Sequence, residues 1–272
     1  MVEIIKTIVL GIIQGVTEWL PISSTGHMIL VDEFLRLDVS EAFMALFLVF
    51  IQFGSILAVV VLYWRKLFPI SFTQKPVIKP EVVSLWLKIA VACIPAAVIG
   101  LLFDERIDAL FFNYQTVAAA LVFYGIVFIV IERNRKNIVP KIETVAQIGY
   151  KTALFIGLFQ VLALIPGTSR SGATIIGALL LGAARPAAAE FTFFLAVPVM
   201  FGASLLRLIN FGFSFTGAEA AILLVGALVA FIVSLFAIKF LVGYVKKNDF
   251  QPFGWYRIVL GVVVMGYFLF VR

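Results

Sequence analysis

Between Gln14 and His27 the chain reads Q-G-V-T-E-W-L-P-I-S-S-T-G-H, crowding a carboxylate, an imidazole and three adjacent hydroxyls into an apolar surround. Polar groups inside a bilayer are costly, so a cluster this dense marks a functional site. Glu18 is a candidate general base, Ser24 a candidate nucleophile and His27 a candidate proton carrier. A second stretch, Pro166-Gly-Thr-Ser-Arg-Ser-Gly172, adds Arg170, whose planar fork of donors matches phosphate or carboxylate. Thr168, Ser169 and Ser171 contribute hydroxyls there, and Gly172 an approachable backbone. Ser23, Thr25 and Gly26 give the first stretch the same open, polar character. Loops of this kind running into a helix start offer backbone N–H groups and a positive dipole end to an anion. A base, a nucleophile, an imidazole and a cation around an anion-sized gap make phosphate chemistry the simplest demand that uses all of them.

The elements that position these loops must be membrane helices. The chain has 272 residues, 63% hydrophobic and 13% charged, against about 25% charged in soluble domains. An all-α polytopic integral membrane protein follows. Apolar segments of spanning length run over residues 45–63, 84–103, 116–132, 188–207, 219–242 and 255–271, each near the ~20 residues that a bilayer requires. Residues 1–40 and 150–183 are apolar but interrupted, the pattern of re-entrant hairpins that line a cavity or lie buried in protein. Pro21 ends the first helix, and Gln14 and Glu18, four apart, share one face of it, with Gly11 and Gly15 leaving room beside them. Gln52 and Gln160 are expected to form interhelical hydrogen bonds near the site. Lys6 and the apolar run after it mimic a signal peptide, but no small-residue cleavage site follows, so this stretch is kept in the fold.

Loop charges orient the spans. Arg65, Lys66, Lys75 and Lys79, then Arg133, Arg135, Lys136, Lys141 and Lys151, then Lys246 and Lys247 mark cytoplasmic loops. Asp104, Glu105 and Asp108 outnumber Arg106 in one loop and residues 208–218 carry no basic residue, so both loops should face outward. The two interrupted stretches then dip in from opposite sides. Gly11, Gln14, Pro21, Ser24 and Gly26 are echoed by Gly157, Gln160, Pro166, Ser169, Ser171 and Gly172. The expected architecture is an inverted-topology repeat. Each half is a re-entrant broken-helix hairpin plus three transmembrane helices: residues 1–132 and 150–272, joined by a basic cytoplasmic linker over 133–149. Such proteins often place their site where broken helices from the two halves meet.

The strings Q-G-V-T-E-W-L-P-I-S-S-T-G-H, I-Q-F-G-S-I-L-A-V-V (51–60), L-I-P-G-T-S-R-S-G-A-T (164–174) and A-A-A-E-F-T-F-F-L-A-V-P (187–198) resemble the undecaprenyl-diphosphate phosphatase family, associated with bacitracin resistance. The resemblance covers essentially the whole chain. It implies a hydrolase of the bacterial inner membrane that converts the C55 polyprenyl diphosphate to the monophosphate plus phosphate. That reaction recycles the lipid carrier for cell-wall synthesis, at a site opening toward the outer face. The family's (E/Q)xxxE motif falls on Gln14 and Glu18, its S-T-G-H segment on Ser24 to His27, and its P-G-x-S-R-S-G motif on Pro166 to Gly172, with Arg170 as the phosphate-binding arginine. Many members have Glu where this chain has Gln14, and better-known ones an acidic residue where it has Leu48. Both changes weaken the case for a metal clamped between two carboxylates. A divalent cation, Mg²⁺ or Ca²⁺, is still expected to bridge the diphosphate, with Glu18 as a candidate ligand, and no organic cofactor is expected. In the mechanism this suggests, Glu18 deprotonates Ser24 for in-line attack, Arg170 and the loop amides stabilise the phosphoryl oxygens, and His27 moves a proton or holds the phosphoryl group.

The blander readings are as follows. Ser55 and Ser204 read as packing residues, Glu41 and Glu190 as helix-start caps, Arg185 as an interfacial anchor and Pro198 as a kink. The rival function is a lipid-phosphate transporter or flippase of the same inverted-repeat build, which would bind the headgroup without needing Ser24 and His27 beside a carboxylate. No ring of like charges suggests a channel. The basic residues follow membrane orientation rather than nucleic-acid binding, and one histidine with one cysteine leaves no zinc site. Partners are then the lipid substrate and membrane lipids, with a homodimer left open.

Overall fold

The computed structural model describes residues 1–70 and 77–271. Of the charges used for orientation, Lys75 lies outside the described residues, as do the side chains of Asp104, Glu105 and Asp108. Among the described residues the chain is helical, with no strand beyond two isolated bridges. In order the helices are α1 (Val2–Thr17), α2 (Ser24–Phe34), α3 (Glu41–Leu62), the single turn α4 (Trp64–Leu67), α5 (Pro80–Phe111) and α6 (Tyr114–Asn134). They continue as α7 (Tyr150–Val161), α8 (Arg170–Leu180), α9 (Arg185–Phe211), α10 (Gly217–Val245) and α11 (Gln251–Phe270).

Six of these are long and apolar enough to cross a membrane: α3, the first part of α5, α6, α9, α10 and α11. They coincide with the six segments expected from hydropathy, and all six begin earlier than expected. In α3, α6 and α10 the reason is capping. Ser40 accepts from Phe43 N, Asn113 from Thr116 N and Thr216 from Glu219 N, so polar residues outside an apolar window still belong to the helix. By contrast, α2 and α8 have 11 residues each and α7 has 12, too short to span at about 1.5 Å per residue.

Each short leading helix packs on a long helix from the other half of the chain. α1 lies on α10 and α7 on α5, while α3 packs between α10 and α9, and α6 against α11. The α1 contact requires glycine: a Cβ at Gly15 would stand 2.8 Å from Ala230 O, and one at Gly11 2.9 Å from Gly226 O. These glycines thus admit the backbone of α10, rather than leaving room for Gln14 and Glu18. Gly157 does the same for α7 against Ala92 of α5.

The linker over 133–149 is more than a charged tether. Lys141 N and Ile142 N both donate to Gly182 O, and Ala184 N donates to Ile142 O. It is thereby clipped to the turn between α8 and α9. The main apolar core gathers Trp19 and Ile22 with Phe193 and Phe194 of α9 and Ile175 and Ile176 of α8. The turn after α1 and the body of α8 therefore lie inside it.

Candidate active site

α1 stops at Thr17, with Glu18 as its C-cap still in a helical conformation and its N–H on Gln14 O. Pro21 lacks an N–H and disfavours helix before it, so the chain turns there. Two residues later Ser23 takes φ +71°, and in the second hairpin Ser169 takes φ +72°. These are the non-glycine residues with positive φ among the described ones, a conformation costing about 1–3 kcal/mol that clusters at functional sites. Each serine is an N-cap whose Oγ accepts from the N–H three residues on, Gly26 at 3.3 Å and Gly172 at 3.2 Å. The two caps thus stand in the same register, with Ser23 placed after Gln14 as Ser169 is after Gln160. The caps pair Ser24 with Arg170, each the first residue of its helix.

Between those two helix starts lies Glu18, buried to 7% exposure. Its Oε1 accepts from Arg170 Nη2 at 3.0 Å, and its Oε2 accepts from Gln14 Nε2 at 2.9 Å and from Ser24 Oγ at 3.4 Å. Arg170 also donates from Nη1 to Thr192 O at 2.9 Å, and its guanidinium sits 5.9 Å from the Trp19 ring. Ser171 Oγ donates to Glu18 O at 3.1 Å, which ties the start of α8 to the end of α1. The structure therefore brings Gln14, Glu18, Ser24 and Arg170 together. Several hydroxyls expected to face phosphate have other partners: those of Ser23 and Ser169 cap their helices, and that of Ser171 holds the α1 terminus. Thr168 is fully buried with Oγ1 unpaired among the described residues, while Thr25 lies half-buried in the first turn of α2. Gly26 is pressed against Leu121, where a Cβ would stand 2.9 Å from a methyl carbon.

His27 faces away from this carboxylate. Its Nδ1 lies 2.7 Å from Ser23 O and its Nε2 2.7 Å from Tyr256 Oη. A carbonyl can only accept, so Nδ1 carries the proton and Nε2 of the neutral ring accepts from the tyrosine. Tyr256 was not legible as a site residue, and neither was its neighbour Arg257, which is fully buried and bonded to carbonyls of both loops. An arginine inside the apolar 255–271 segment was the available signal. Thr192 acts through its backbone carbonyl, for which sequence carries no signal.

Other expectations are corrected. Gln160 is buried at 2% exposure with both amide atoms unpaired among the described residues, so it forms no interhelical hydrogen bond. Leu164 stands where the first hairpin has Glu18, and the amide has lost the partner that Gln14 keeps. Gln52 is half-buried in α3 without a side-chain hydrogen bond among the described residues. Glu190 caps nothing and pairs with Lys66 at 2.7 Å. Arg185 is no loose anchor: it grips the fully buried Glu132, which also accepts from Phe250 N at 3.0 Å. A cavity of about 680 Å³ lined by Arg65, Lys66, Lys88 and Glu190 shares no residue with the Glu18 cluster.

These residues do not form a cage for a resident metal ion. No group of three or more His, Cys, Asp or Glu side chains able to hold one occurs among the described residues. Glu18 is the one carboxylate of the cluster, and both its oxygens already hold protein donors.

Six helices of spanning length define a multi-pass membrane protein, and it carries a buried cluster of serine, carboxylate and arginine at two helix starts. Its residues 7–263 match the family model described as Bacitracin resistance protein BacA, and the chain belongs to that family. It is 60% identical over 272 residues, all of both chains, to a protein of Acetivibrio thermocellus named undecaprenyl-diphosphatase. It is 63% identical over 269 residues, covering 98% of this chain and 97% of the relative, to the undecaprenyl-diphosphatase of Desulfitobacterium hafniense. A protein of that name from Enterococcus faecalis is 60% identical over 266 residues, 97% of this chain and 96% of its own.

Proposed function

We propose that the protein is a membrane-embedded phosphatase that hydrolyses undecaprenyl diphosphate to undecaprenyl phosphate and inorganic phosphate. It would recycle the lipid carrier for cell-wall synthesis in the bacterial inner membrane and confer bacitracin resistance. The observation carrying this reading is Ser24 on one oxygen of Glu18 with Arg170 on the other. Binding alone would need the cation and the helix starts; it would not need a serine against a buried carboxylate.

Glu18 takes the Ser24 proton as Oγ attacks the terminal phosphorus, and the lipid monophosphate leaves. Water then hydrolyses the phosphoserine, releasing phosphate and regenerating the hydroxyl. Arg170 and the uncapped N–H groups of the first turns of α2 and α8 stabilise the equatorial oxygens. Arg170 Nε and Trp19 Nε1 are buried donors without a partner among the described residues. His27 has both nitrogens engaged; it holds the Ser23 turn next to the nucleophile, which favours Ser24 over His27 as first attacker. A divalent cation, Mg²⁺ or Ca²⁺, would neutralise charge on the diphosphate when bound, with Glu18 the one carboxylate of the cluster able to help hold it.

The inverted-topology reading is supported by the matched serine caps and by the reciprocal packing of α1 on α10 and α7 on α5. With the loop charges, it has the first hairpin entering from the outer face, where the site would open.

The test is phosphate release from a long-chain polyprenyl diphosphate by purified protein in detergent. The expected result is release by the parent and a fall of about 10³ or more in Ser24→Ala, as for loss of a nucleophile. A folded parent that releases nothing with Mg²⁺ or Ca²⁺ would turn the reading to the lipid-phosphate transporter.

A further inference from the structure

Arg257 carries a charge that the mechanism above does not use. It lies on α11 with no exposed surface. Its Nη1 donates to Pro21 O at 3.3 Å, in the loop before α2. Its Nη2 donates to Gly167 O and Thr168 O, each at 2.9 Å, in the loop before α8. Among the described residues no carboxylate lies within ion-pair distance of it, and its Nε has no partner. Its other neighbour is the Tyr124 ring, 5.8 Å from the guanidinium carbon. Carbonyl dipoles solvate a cation but leave its net charge in place. Arg170, in contrast, is matched by Glu18. The positive charge left over at the site is therefore that of Arg257. It sits directly behind the anion-facing end of α8: a Cβ built on Gly172 would stand 3.2 Å from its Nη1.

We propose that Arg257 is a positioning residue that ties the two loops together and supplies the uncompensated positive charge drawing the diphosphate end of the substrate into the site. This rests on the phosphatase reading. The ligand chemistry is a diphosphate, shared by the lipid headgroup and by free pyrophosphate. The charge acts across buried protein, where screening is weak, so its removal is felt in affinity before it is felt in turnover.

The experiment compares Arg257→Gln, which can still donate to carbonyls but is neutral, with Arg257→Lys, which keeps the charge without the fork. Tyr124→Glu leaves Arg257 in place and sets a carboxylate beside it, and Tyr124→Gln is its size-matched control. KM and kcat are measured on the polyprenyl diphosphate, and pyrophosphate binding is measured by calorimetry on the same preparations. Arg257→Gln is expected to raise KM and the pyrophosphate Kd about tenfold or more, with a smaller change in kcat. Arg257→Lys, which keeps the charge but loses the fork, should lose clearly less pyrophosphate affinity than Arg257→Gln. Tyr124→Glu should follow Arg257→Gln, and Tyr124→Gln the parent. Unchanged pyrophosphate affinity in Arg257→Gln, or an equal loss in Arg257→Lys, would overturn the proposal. Should Arg257→Gln not fold, equal affinities in the two Tyr124 variants would do so. A parent that binds pyrophosphate but releases no phosphate would sink the phosphatase reading alone, and the affinity comparison would still decide the role of Arg257.

Discussion

Glu18 and Arg170 allow stability and chemistry to be separated in one set of variants. Their side chains are 7% and 12% exposed and meet at 3.0 Å. Glu18→Gln keeps an oxygen for Arg170 but loses the charge, and the NH2 that replaces Oε2 cannot accept from Gln14 or Ser24. A buried pair broken on one side costs about 3–5 kcal/mol, chiefly because the other charge is left uncompensated. The same substitution removes the proposed base, worth about 10²–10⁴ in rate. Arg170→Gln in the Glu18→Gln background removes the stranded charge as well. Thermal midpoints in detergent should therefore fall in Glu18→Gln and recover in part in the double variant. Phosphate release should stay at the level of the worse single variant. Parent-like release by folded Glu18→Gln would refute Glu18 as base. A double variant melting below Glu18→Gln would refute the electrostatic account of the pair.

His27 is the sole histidine of the chain, so ¹⁵N-histidine labelling gives one imidazole spectrum. It should report the Nδ1–H tautomer, shifting in Tyr256→Phe, which should also lose about two- to tenfold in kcat as one hydrogen bond to Nε2 is removed; an Nε2–H tautomer in the parent contradicts the assignment. Gln160→Met should raise the melting point, because it replaces a buried amide without partners at a cost of about 1–3 kcal/mol; a lower midpoint would mean the amide has a partner, such as an enclosed water. Glu132→Gln should destabilise by about 1–3 kcal/mol, as Arg185 loses its counter-charge but stays partly solvated while the amide oxygen can still accept from Phe250 N, with specific activity of the surviving folded protein kept within about threefold. A large kcat loss in folded Glu132→Gln would extend the site to the Glu132–Arg185 clasp.

The six long helices were legible because hydropathy over about 20 residues is a strong signal, and Gln14 with Glu18 because a spacing of four puts two side chains on one helical face. What composition could not give was direction. Ser23, Ser24 and Thr25 look alike in sequence, yet the positive φ of Ser23 turns its hydroxyl back onto Gly26 and leaves Ser24 to meet Glu18. Gln160 resembles Gln14 and lacks only the acid four residues on. Arg257 is far from both loops in the chain, and its partners are backbone carbonyls, which every residue possesses.

The crossed packing of the short helices bears on biosynthesis. The Gly11 and Gly15 face of α1 is covered by α10, and Glu18 finds its cation 152 residues later. At about 5–20 residues per second, the first hairpin waits on the order of 10–40 s for α10 to leave the ribosome. Until Arg170 emerges it carries an unmatched acid, and until α10 does an open glycine groove, a poor state to hold in lipid. The N-terminal half is thus an unfinished product however long it lives, and a chain truncated before α10 should be cleared by membrane proteases rather than accumulate.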